Sequence, residues 1–356
     1  MSESKDVRVG IVGTGIISNV RAKGYLTHKK AKISAVCDLD QNRAREKAKL
    51  WGVDKVYTDY RKLLNDETIN AVEVLLPHSL HSKVVVDAAR AGKNVAVMKP
   101  IAVSLTEADA MINAAKDNGV VLSVAENYVN YPPIAKAAQL IRGGEIGDPT
   151  IIRMNVATGK GGPPEWVEPD DPKDWRQDKK ANGGFIYDAI VHNEATARLL
   201  MGYDVHSVSA MFQNMNERDE RPGVVAWSHE GLNKFGTLTY AGKKSVIPIT
   251  TDYYPVHEAF EVVGTKGIIW ITRVTGKMLG AAPLIMYKGG EEIRFESLES
   301  DYALGFRNSV YDFIDSIVDK REPKFTGADG KKQIQFAWAV YKAANEHREV
   351  RLDEIT

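Results

Sequence analysis

The chain has 356 residues, of which 44% are hydrophobic and 26% are charged, a composition that excludes disordered, collagen-like and disulfide-scaffold proteins. Lysine plus arginine and aspartate plus glutamate both number 47, so the chain lacks the overall basic field that would hold nucleic acid or an anionic membrane. Its single cysteine, Cys37, excludes an internal disulfide, a CxxC redox pair and a cysteine cluster for a metal ion.

The first third of the chain alternates short β-branched runs with longer helical stretches, as repeated βαβ units around a parallel sheet do. Most of the strand runs are continuously apolar, as expected for strands that are buried on both faces. We predict strands at residues 7–12, 33–37, 56–57, 71–76, 94–97 and 120–124. We predict helices at residues 17–27, 41–51, 60–64, 82–91 and 105–118.

The pattern changes after residue 125, where alternating polar and apolar runs predict antiparallel strands with one solvated face. The predicted strands are residues 150–158, 205–212, 224–228, 235–240, 259–263, 267–272 and 284–287. The predicted helices are residues 134–141, 190–201, 303–318 and 331–346. We therefore predict two domains, residues 1–125 and residues 126–356, with the final helices able to pack back on the first domain.

A glycine turn follows the first predicted strand directly. Gly13 permits the tight turn, and Gly15 lets the backbone approach a pyrophosphate at the helix N-terminus, which Ile16 and Ile17 open. Asp38 ends the second predicted strand, where a carboxylate would accept hydrogen bonds from an adenosine ribose. These five residues predict a dinucleotide site in a doubly wound α/β domain. The alternative is a glycine turn in an α/β fold that binds no nucleotide.

The residues after Asp38 bear on the choice of dinucleotide. A site for NADP needs a cation to meet the extra phosphate, whereas Asp38 is followed by Leu39 and Asp40. A second carboxylate would repel that phosphate. We therefore predict NAD as the cofactor in preference to NADP.

Two histidines follow the fourth predicted strand, at the sheet edge where open α/β sheets bind ligands. The segment is Leu76-Pro77-His78, with His81 one turn further on. We predict these four residues as cofactor contacts. The alternative for either histidine is a helix cap or a surface side chain.

Three further polar residues have the chemistry of an alcohol oxidation. Lys99 precedes Pro100, which biases it towards an extended conformation at the end of the fifth predicted strand, and its ammonium group would stabilise a developing alkoxide. Asp188 and His192 are four residues apart and would share one helix face, and histidine suits general-base work near neutral pH. The alternatives are a solvated lysine, a capping aspartate and a buried polar histidine.

In this order the motifs resemble the GFO/IDH/MocA family, the group of glucose-fructose oxidoreductase and inositol dehydrogenase, over nearly the whole chain. The motifs are the glycine turn, Asp38, Pro77-His78, Lys99-Pro100, residues 143–147, Trp175-Arg176 and Asp188-x-x-x-His192. The resemblance implies an α/β Rossmann domain followed by an α+β domain with a large, open, mostly antiparallel sheet. It also implies NAD(P)-dependent oxidation or reduction of sugars, cyclic polyols or related alcohols, with Lys99, Asp188 and His192 as the catalytic trio, and a homodimer or homotetramer formed through the C-terminal sheet.

Two positions depart from the family's pattern. Met98 stands where the family usually has a glutamate before the Lys-Pro pair, which removes a carboxylate that would pair with the lysine. Ala195 stands where an acidic residue commonly follows the histidine, although Glu194 is adjacent. Neither departure removes a member of the trio.

Other polar and aromatic residues are predicted contacts for a sugar or for the cofactor, because aromatic faces pack well on the C–H surfaces of sugars. The predicted substrate contacts, besides the trio, are Tyr128, Asn155, Lys160 and Tyr253, and the predicted cofactor contacts include Trp175 and Arg176. Core packing or simple exposure is the alternative for each residue.

The sequence thus predicts a cytoplasmic NAD(P)-dependent dehydrogenase that uses no metal and binds neither nucleic acid nor membrane. Its substrate would be a sugar or polyol bound between the domains. Two other functions stay open. One is a glycosidase that oxidises a carbon transiently through NAD to labilise a neighbouring bond. The other is a non-catalytic sensor of NAD and a sugar.

Overall fold

The computed structural model describes residues 7–163, 183–215, 220–230, 233–241 and 247–356. The chain divides into two compact units. The first unit comprises Met1–Asn127 and Phe306–Ile334, and the second comprises Tyr128–Gly305 and Gln335–Thr356. The last fifty residues of the chain therefore contribute to both units.

The first unit contains a parallel sheet flanked by helices. Its strands are β1 (Val7–Val12), β2 (Ala31–Cys37), β3 (Lys55–Tyr57), β4 (Ala71–Val74), β5 (Asn94–Met98) and β6 (Leu122–Ala125). Its helices are α1 (Ile16–Thr27), α2 (Gln41–Trp51), α3 (Tyr60–Leu64), α4 (His81–Arg90) and α5 (Leu105–Asp117). The strand order is β3-β2-β1-β4-β5-β6, so the order reverses between β1 and β4, where sheets of this kind bind ligands.

Local sequence explains where these elements begin and end. All four residues of β4 and of β6 are buried, as is usual for strands of a parallel sheet, and each strand contains one polar residue, Glu73 or Ser123. Helix α2 begins after Asp40, whose carboxylate accepts hydrogen bonds from the amides of Asn42 and Arg43. It ends at Gly52, which adopts the left-handed conformation. These two signals place both ends of α2 where the sequence predicts them.

The second unit contains an open sheet of nine strands. Its strands are β7 (Pro149–Thr158), β8 (Val205–Phe212), β9 (Gly223–His229), β10 (Phe235–Tyr240), β11 (Val256–Gly264), β12 (Gly267–Ile271), β13 (Leu284–Lys288), β14 (Glu291–Arg294) and β15 (Val350–Arg351). Its helices are α6 (Pro132–Arg142) and α7 (Phe185–Met201), while α8 (Ala303–Asp319) and α9 (Gly327–Glu346) belong partly to each unit. The strand order is β14-β13-β12-β11-β7-β10-β9-β8-β15.

One face of the nine-stranded sheet forms the core of the second unit. Burial alternates along β7 and β11, where Met154, Val156, Phe260 and Val262 are buried, and helix α7 packs against β7. Neighbouring strands are antiparallel except β7 and β10, which run parallel. The predicted fold class, a Rossmann domain with a large, mostly antiparallel sheet, is confirmed.

The structure differs from the sequence prediction at several element ends and in two short strands, β14 and β15, that were not predicted. Helix α7 begins at Phe185, five residues before the predicted start at residue 190, because Gly184 at φ 105° serves as the N-cap. Strand β4 ends at Val74, and residues 75–76 belong to the turn that follows. The sequence prediction missed β14, whose four residues are all exposed and so have no apolar alternation.

Candidate active site

The glycine turn forms the end of β1 and the start of α1 in the first unit. Gly13 has a φ of 94°, and a Cβ atom there would collide with the carbonyl oxygen of Leu75, so only glycine fits. Gly15 is the N-cap of α1, has open space where a Cβ would stand and provides no side-chain cap. Helix α1 is twelve residues long, and its first turn contains no acidic side chain. The backbone amides of that turn can therefore bind an anionic group such as a pyrophosphate.

Asp38 lies beside this turn with both carboxylate oxygens engaged. One oxygen accepts hydrogen bonds of 2.8 Å from the amide and the hydroxyl of Thr14. The other accepts from the Asp40 amide at 3.0 Å and from Arg43 at 2.7 Å. Burial would raise the pKa of Asp38, but the hydrogen bonds from Arg43, Thr14 and Asp40 outweigh it and lower the pKa. The result is an ionised carboxylate held in one orientation.

Sequence reasoning missed Arg43, which pairs with Asp38 through two guanidinium nitrogens. The side chain of Arg43 is half exposed, whereas the side chain of Asp38 is 7% exposed. The available signal is that Arg43 lies in the first turn of α2, which begins three residues after Asp38. The structure therefore adds a cation to the place where the sequence indicated only carboxylates.

The two histidines after β4 are buried. The Nε2 atom of His81 lies 2.8 Å from the carbonyl oxygen of Leu76, and its Nδ1 atom lies 3.0 Å from that of Pro100. Burial lowers the pKa of His81, although the backbone carbonyls oppose the shift. His81 thus links the segments that follow β4 and β5, and its contact with the cofactor stays a prediction. The ring of His78 lies 5.6 Å from that of His81.

Lys99 directly follows β5 and is half buried, like Met98 before it. Because β1, β2, β4 and β5 are parallel, their carboxyl ends share one edge of the sheet. The glycine turn, Asp38, Leu76 and Lys99 all lie at that edge. The first unit therefore gathers most of the predicted cofactor residues that the structure describes.

In the second unit, Asp188 and His192 lie one turn apart on α7, and both are partly exposed. Their neighbours Val191 and Asn193 are buried, so the two side chains share the accessible side of the helix. Asp188 lies in the first turn, where the helix dipole favours a negative charge. Asp188 is not the N-cap, which is Gly184, so the capping alternative for Asp188 does not apply.

His192 is stacked on an aromatic ring. The imidazole and the ring of Tyr128 are 4.2 Å apart between centroids, with 13° between their planes. The Tyr128 hydroxyl donates a 2.7 Å hydrogen bond to Glu258 on β11. Sequence reasoning missed Glu258, although it shares the β11 face of buried Phe260, where an acidic residue is unusual.

Helix α7 is fixed by buried polar contacts on its other side. The carboxylate of Glu220 accepts hydrogen bonds from the Ile186 amide at 3.2 Å and from the Tyr341 hydroxyl at 2.9 Å. Glu194 forms an ion pair with Arg198 one turn further along the helix, at 3.0 Å. Glu194 therefore supports the helix itself.

The remaining predicted contacts are spread over the second unit. Asn155 is exposed on β7, on the face opposite to buried Met154 and Val156, and accepts a hydrogen bond from Thr239. Because Glu258 pairs with Val156, Asn155 lies on the opposite face of the sheet from Glu258. The structure therefore does not bring Asn155 to the Tyr128 and His192 cluster.

Lys160 and Tyr253 lie in segments that follow β7 and precede β11. The backbone of Lys160 pairs with Ile247 and Ile249. The Tyr253 hydroxyl donates a hydrogen bond to Asp301, and burial together with that carboxylate raises the pKa of Tyr253. Trp175 and Arg176 lie outside the described residues.

Neither a metal-ion cluster nor a membrane-spanning helix occurs among the residues that the structure describes. Among these residues, no group of three or more histidine, cysteine, aspartate or glutamate side chains is arranged to hold a metal ion. None of the helices found there combines the length and the apolar character that crossing a bilayer requires.

Comparison with known proteins gives a consistent family match for both parts of the chain. Residues 7–126 match the oxidoreductase family with an NAD-binding Rossmann fold, and residues 134–270 match the GFO/IDH/MocA C-terminal domain. Myo-inositol 2-dehydrogenase of Thermotoga maritima is 27% identical, over 98% of this chain and 99% of its own length. The scyllo-inositol 2-dehydrogenase (NAD(+)) of Bacillus subtilis is 26% identical, over 98% of this chain and 96% of its own length.

A solved structure agrees in fold. Levoglucosan dehydrogenase in complex with NADH and L-sorbose has a TM-score of 0.82 to this chain at 20% identity, and the match covers 98% of this chain and 99% of that chain. At this level of identity the likeness concerns the fold alone.

Proposed function

Because the chain belongs to the GFO/IDH/MocA family of oxidoreductases, we propose that it is a dehydrogenase for a sugar, a cyclic polyol or a sugar derivative. It would oxidise a secondary hydroxyl or a hemiacetal by hydride transfer. The observation that carries the proposal is the pair of Asp188 and His192 on the accessible side of α7, with the imidazole held flat against Tyr128. The names of the two inositol dehydrogenases support the substrate class.

In the proposed reaction, NAD⁺ bound at the glycine turn supplies the acceptor for the hydride. His192 takes the proton of the substrate hydroxyl as the C–H bond gives up its electron pair and the C=O bond forms. Lys99 donates a hydrogen bond to the same oxygen and stabilises the negative charge that develops on it. Asp188 orients the substrate or the imidazole. Met98 in place of the family's glutamate leaves the lysine without that neighbouring carboxylate.

We also propose that NAD is preferred over NADP. The fixed, ionised carboxylate of Asp38 would accept hydrogen bonds from the ribose hydroxyls of NAD and would repel a 2′-phosphate. Arg43, the neighbouring cation, is neutralised by its ion pair with Asp38. The family match and the relative named for NAD(+) support the use of NAD.

The test is NADH formation from monosaccharides, inositols and anhydrosugars, each with NAD⁺ and with NADP⁺. We expect at least one compound to give net NADH, and the rate with NADP⁺ to be much lower. Release of an aglycone from a glycoside without net NADH would identify the glycosidase instead. Tight NAD binding without turnover of any compound would identify the non-catalytic sensor.

We further propose that the open face of the nine-stranded sheet is covered by a second copy of the chain, as a homodimer or as part of a homotetramer. Met211, Val224 and Phe235 project from one face of β8, β9 and β10, since Met211 pairs with Val224 and Phe235 with Ser228. They are 72%, 45% and 52% exposed. Exposed apolar side chains on an open sheet face support the proposal that a second copy covers this face.

Replacing Phe235 with aspartate should shift the protein to a smaller assembly, because a carboxylate cannot be buried at an apolar interface without a large cost. The molar mass would be measured by size-exclusion chromatography with light scattering. The matched control is Leu50→Asp, at an exposed leucine on α2 of the first unit. A parent protein that is monomeric, or a Phe235→Asp variant with the parent's mass, would rule out this face as the interface.

A further inference from the structure

Three side chains in the second unit form a continuous chain of contacts that ends at His192. Glu258 accepts a hydrogen bond from the hydroxyl of Tyr128, and the ring of Tyr128 stacks on the imidazole of His192. We propose that Tyr128 and Glu258 are positioning residues, which hold the plane of the His192 ring in the orientation that proton transfer needs. This inference rests on the proposed function, in which His192 is the general base.

Glu258 is a fixed anchor because of where β11 places it. Its side chain lies on the core-facing side of the strand, in register with Phe260 and Val262, and Glu258 is 4% exposed. A buried carboxylate is costly unless it accepts hydrogen bonds. The Tyr128 hydroxyl provides one at 2.7 Å, and this bond in turn restrains the tyrosine ring.

The ring of Tyr128 is held on more than one side. The ring of Tyr302 meets it edge-on, with 6.2 Å between centroids and 90° between planes, an arrangement that aromatic pairs favour. The phenol is therefore held at its hydroxyl by Glu258 and along its ring by Tyr302. The face that contacts His192 is a rigid surface.

A rigid stacking surface determines what the imidazole can do. The lone pair that takes a proton lies in the plane of the ring, so a general base works only when that plane contains the proton to be transferred. Stacking on Tyr128 at an interplanar angle of 13° opposes rotation of the imidazole out of this plane. Small errors in such an orientation reduce rates strongly.

The sequence suggests a different role for Tyr128, as a direct substrate contact. The structure gives Tyr128 5% exposure and commits its hydroxyl to Glu258. The two roles differ in kinetics, because loss of a substrate contact made equally in the ground and transition states raises KM, whereas loss of orientation lowers kcat.

The experiment compares Tyr128→Leu, Tyr128→Phe and Glu258→Gln in the full-length protein. The matched control is Tyr131→Phe, which removes another buried tyrosine hydroxyl, one that donates to the Ser300 carbonyl. The first readout is the NMR resonance of His192 in protein with labelled histidines, identified by its absence in His192→Gln. Tyr128→Leu should abolish the ring-current shift that the stacked phenol imposes, Tyr128→Phe should keep most of it, and Tyr131→Phe should leave it unchanged.

The second readout is steady-state kinetics with the substrate found in the panel. Tyr128→Leu should lower kcat about 10- to 100-fold with KM within about twofold of the parent. Tyr128→Phe and Glu258→Gln, which keep the ring but weaken its anchor, should lower kcat about 3- to 10-fold. Tyr131→Phe should change neither constant.

A His192 resonance that does not move in Tyr128→Leu would overturn the inference. So would a higher KM at unchanged kcat, which is the signature of a substrate contact. If Tyr128→Leu does not fold, unchanged kcat in both Tyr128→Phe and Glu258→Gln overturns it equally. Failure of the proposed function looks different, because the parent protein would then give no net NADH with any compound of the panel, whatever the NMR spectra show.

Discussion

Replacing His192 with glutamine is expected to lower kcat by about 10²- to 10⁴-fold, which is the usual contribution of a positioned general base. Glutamine keeps a polar side chain of similar length on the accessible side of α7, but its amide cannot accept the proton of an alcohol. The backbone of the helix should be unaffected, because the contact of residue 192 with the Thr196 hydroxyl is made by its carbonyl oxygen. The measurement is kcat with the substrate identified in the panel.

A matched control for this variant is His206→Gln, since His206 is an exposed histidine on β8 of the same unit. It should have the parent's kcat. NAD binding, followed by fluorescence titration, should be retained in both variants, because the glycine turn and Asp38 belong to the first unit. Near-normal turnover in His192→Gln would remove the histidine from the chemistry and leave the family match to support the reaction class alone.

The sequence is sufficient to predict the ends of those helices that have a capping residue at each end. Helix α2 is predicted to the residue because Asp40 caps its start and Gly52 its end. Helix α7 is not, because its N-cap is Gly184, which offers no side chain to bond the first amides, while Asp188 has the residue type of a cap. The residue type of Asp188 thus indicates a helix start near residue 188, although the helix begins at Phe185.

Strand pairing is harder to predict than strand position. Strands β7 and β10 both alternate polar and apolar residues, as antiparallel strands with one solvent-exposed face do. They nevertheless run parallel to each other. Alternation reports which face is buried and does not report the direction of the neighbour. For β14, which is exposed throughout, the sequence has no burial signal at all, and only pairing with β13 makes it a strand.

The residues of the candidate site also differ in how well the sequence predicts them. Gly13, Asp38 and Lys99 are predictable because each follows a buried strand directly, and strand ends in parallel sheets share one edge. Glu258 is not identified in that way, since its partner Tyr128 lies 130 residues earlier in the chain. The one local signal is that Glu258 lies two residues before Phe260 and therefore on the same face of the strand. This signal indicates that the carboxylate is buried, but it does not indicate which residue forms a hydrogen bond with it.

The second large expected effect is a change of cofactor preference from NAD towards NADP in the variant Asp38→Ser, and Arg43 contributes to it. In the parent, Asp38 binds the guanidinium of Arg43 through both oxygens. Serine removes the carboxylate that would accept the ribose hydroxyls, so the Kd for NAD should rise about 10- to 100-fold, as loss of hydrogen bonds to a charged group predicts. It also removes the charge that repels a 2′-phosphate and releases Arg43, a suitable bidentate partner for phosphate.

The ratio of the Kd for NADP to the Kd for NAD should therefore fall at least about 100-fold in Asp38→Ser, as measured by calorimetric titration with each dinucleotide. The double variant Asp38→Ser/Arg43→Gln is the control. It should lose NAD affinity like the single variant but gain less affinity for NADP, because the repulsion by Asp38 is gone in both variants whereas the released cation is present only in the single variant. In the parent, the low pKa of Asp38 keeps the carboxylate ionised at neutral pH, so the Kd for NAD should be constant between about pH 6 and 8 and should rise only as Asp38 is protonated, below the ordinary carboxyl pKa of about 4. A Kd for NADP that is equal in the single and double variants would show that Arg43 does not reach the 2′ position, and the preference for NAD would then rest on the repulsion by Asp38 alone.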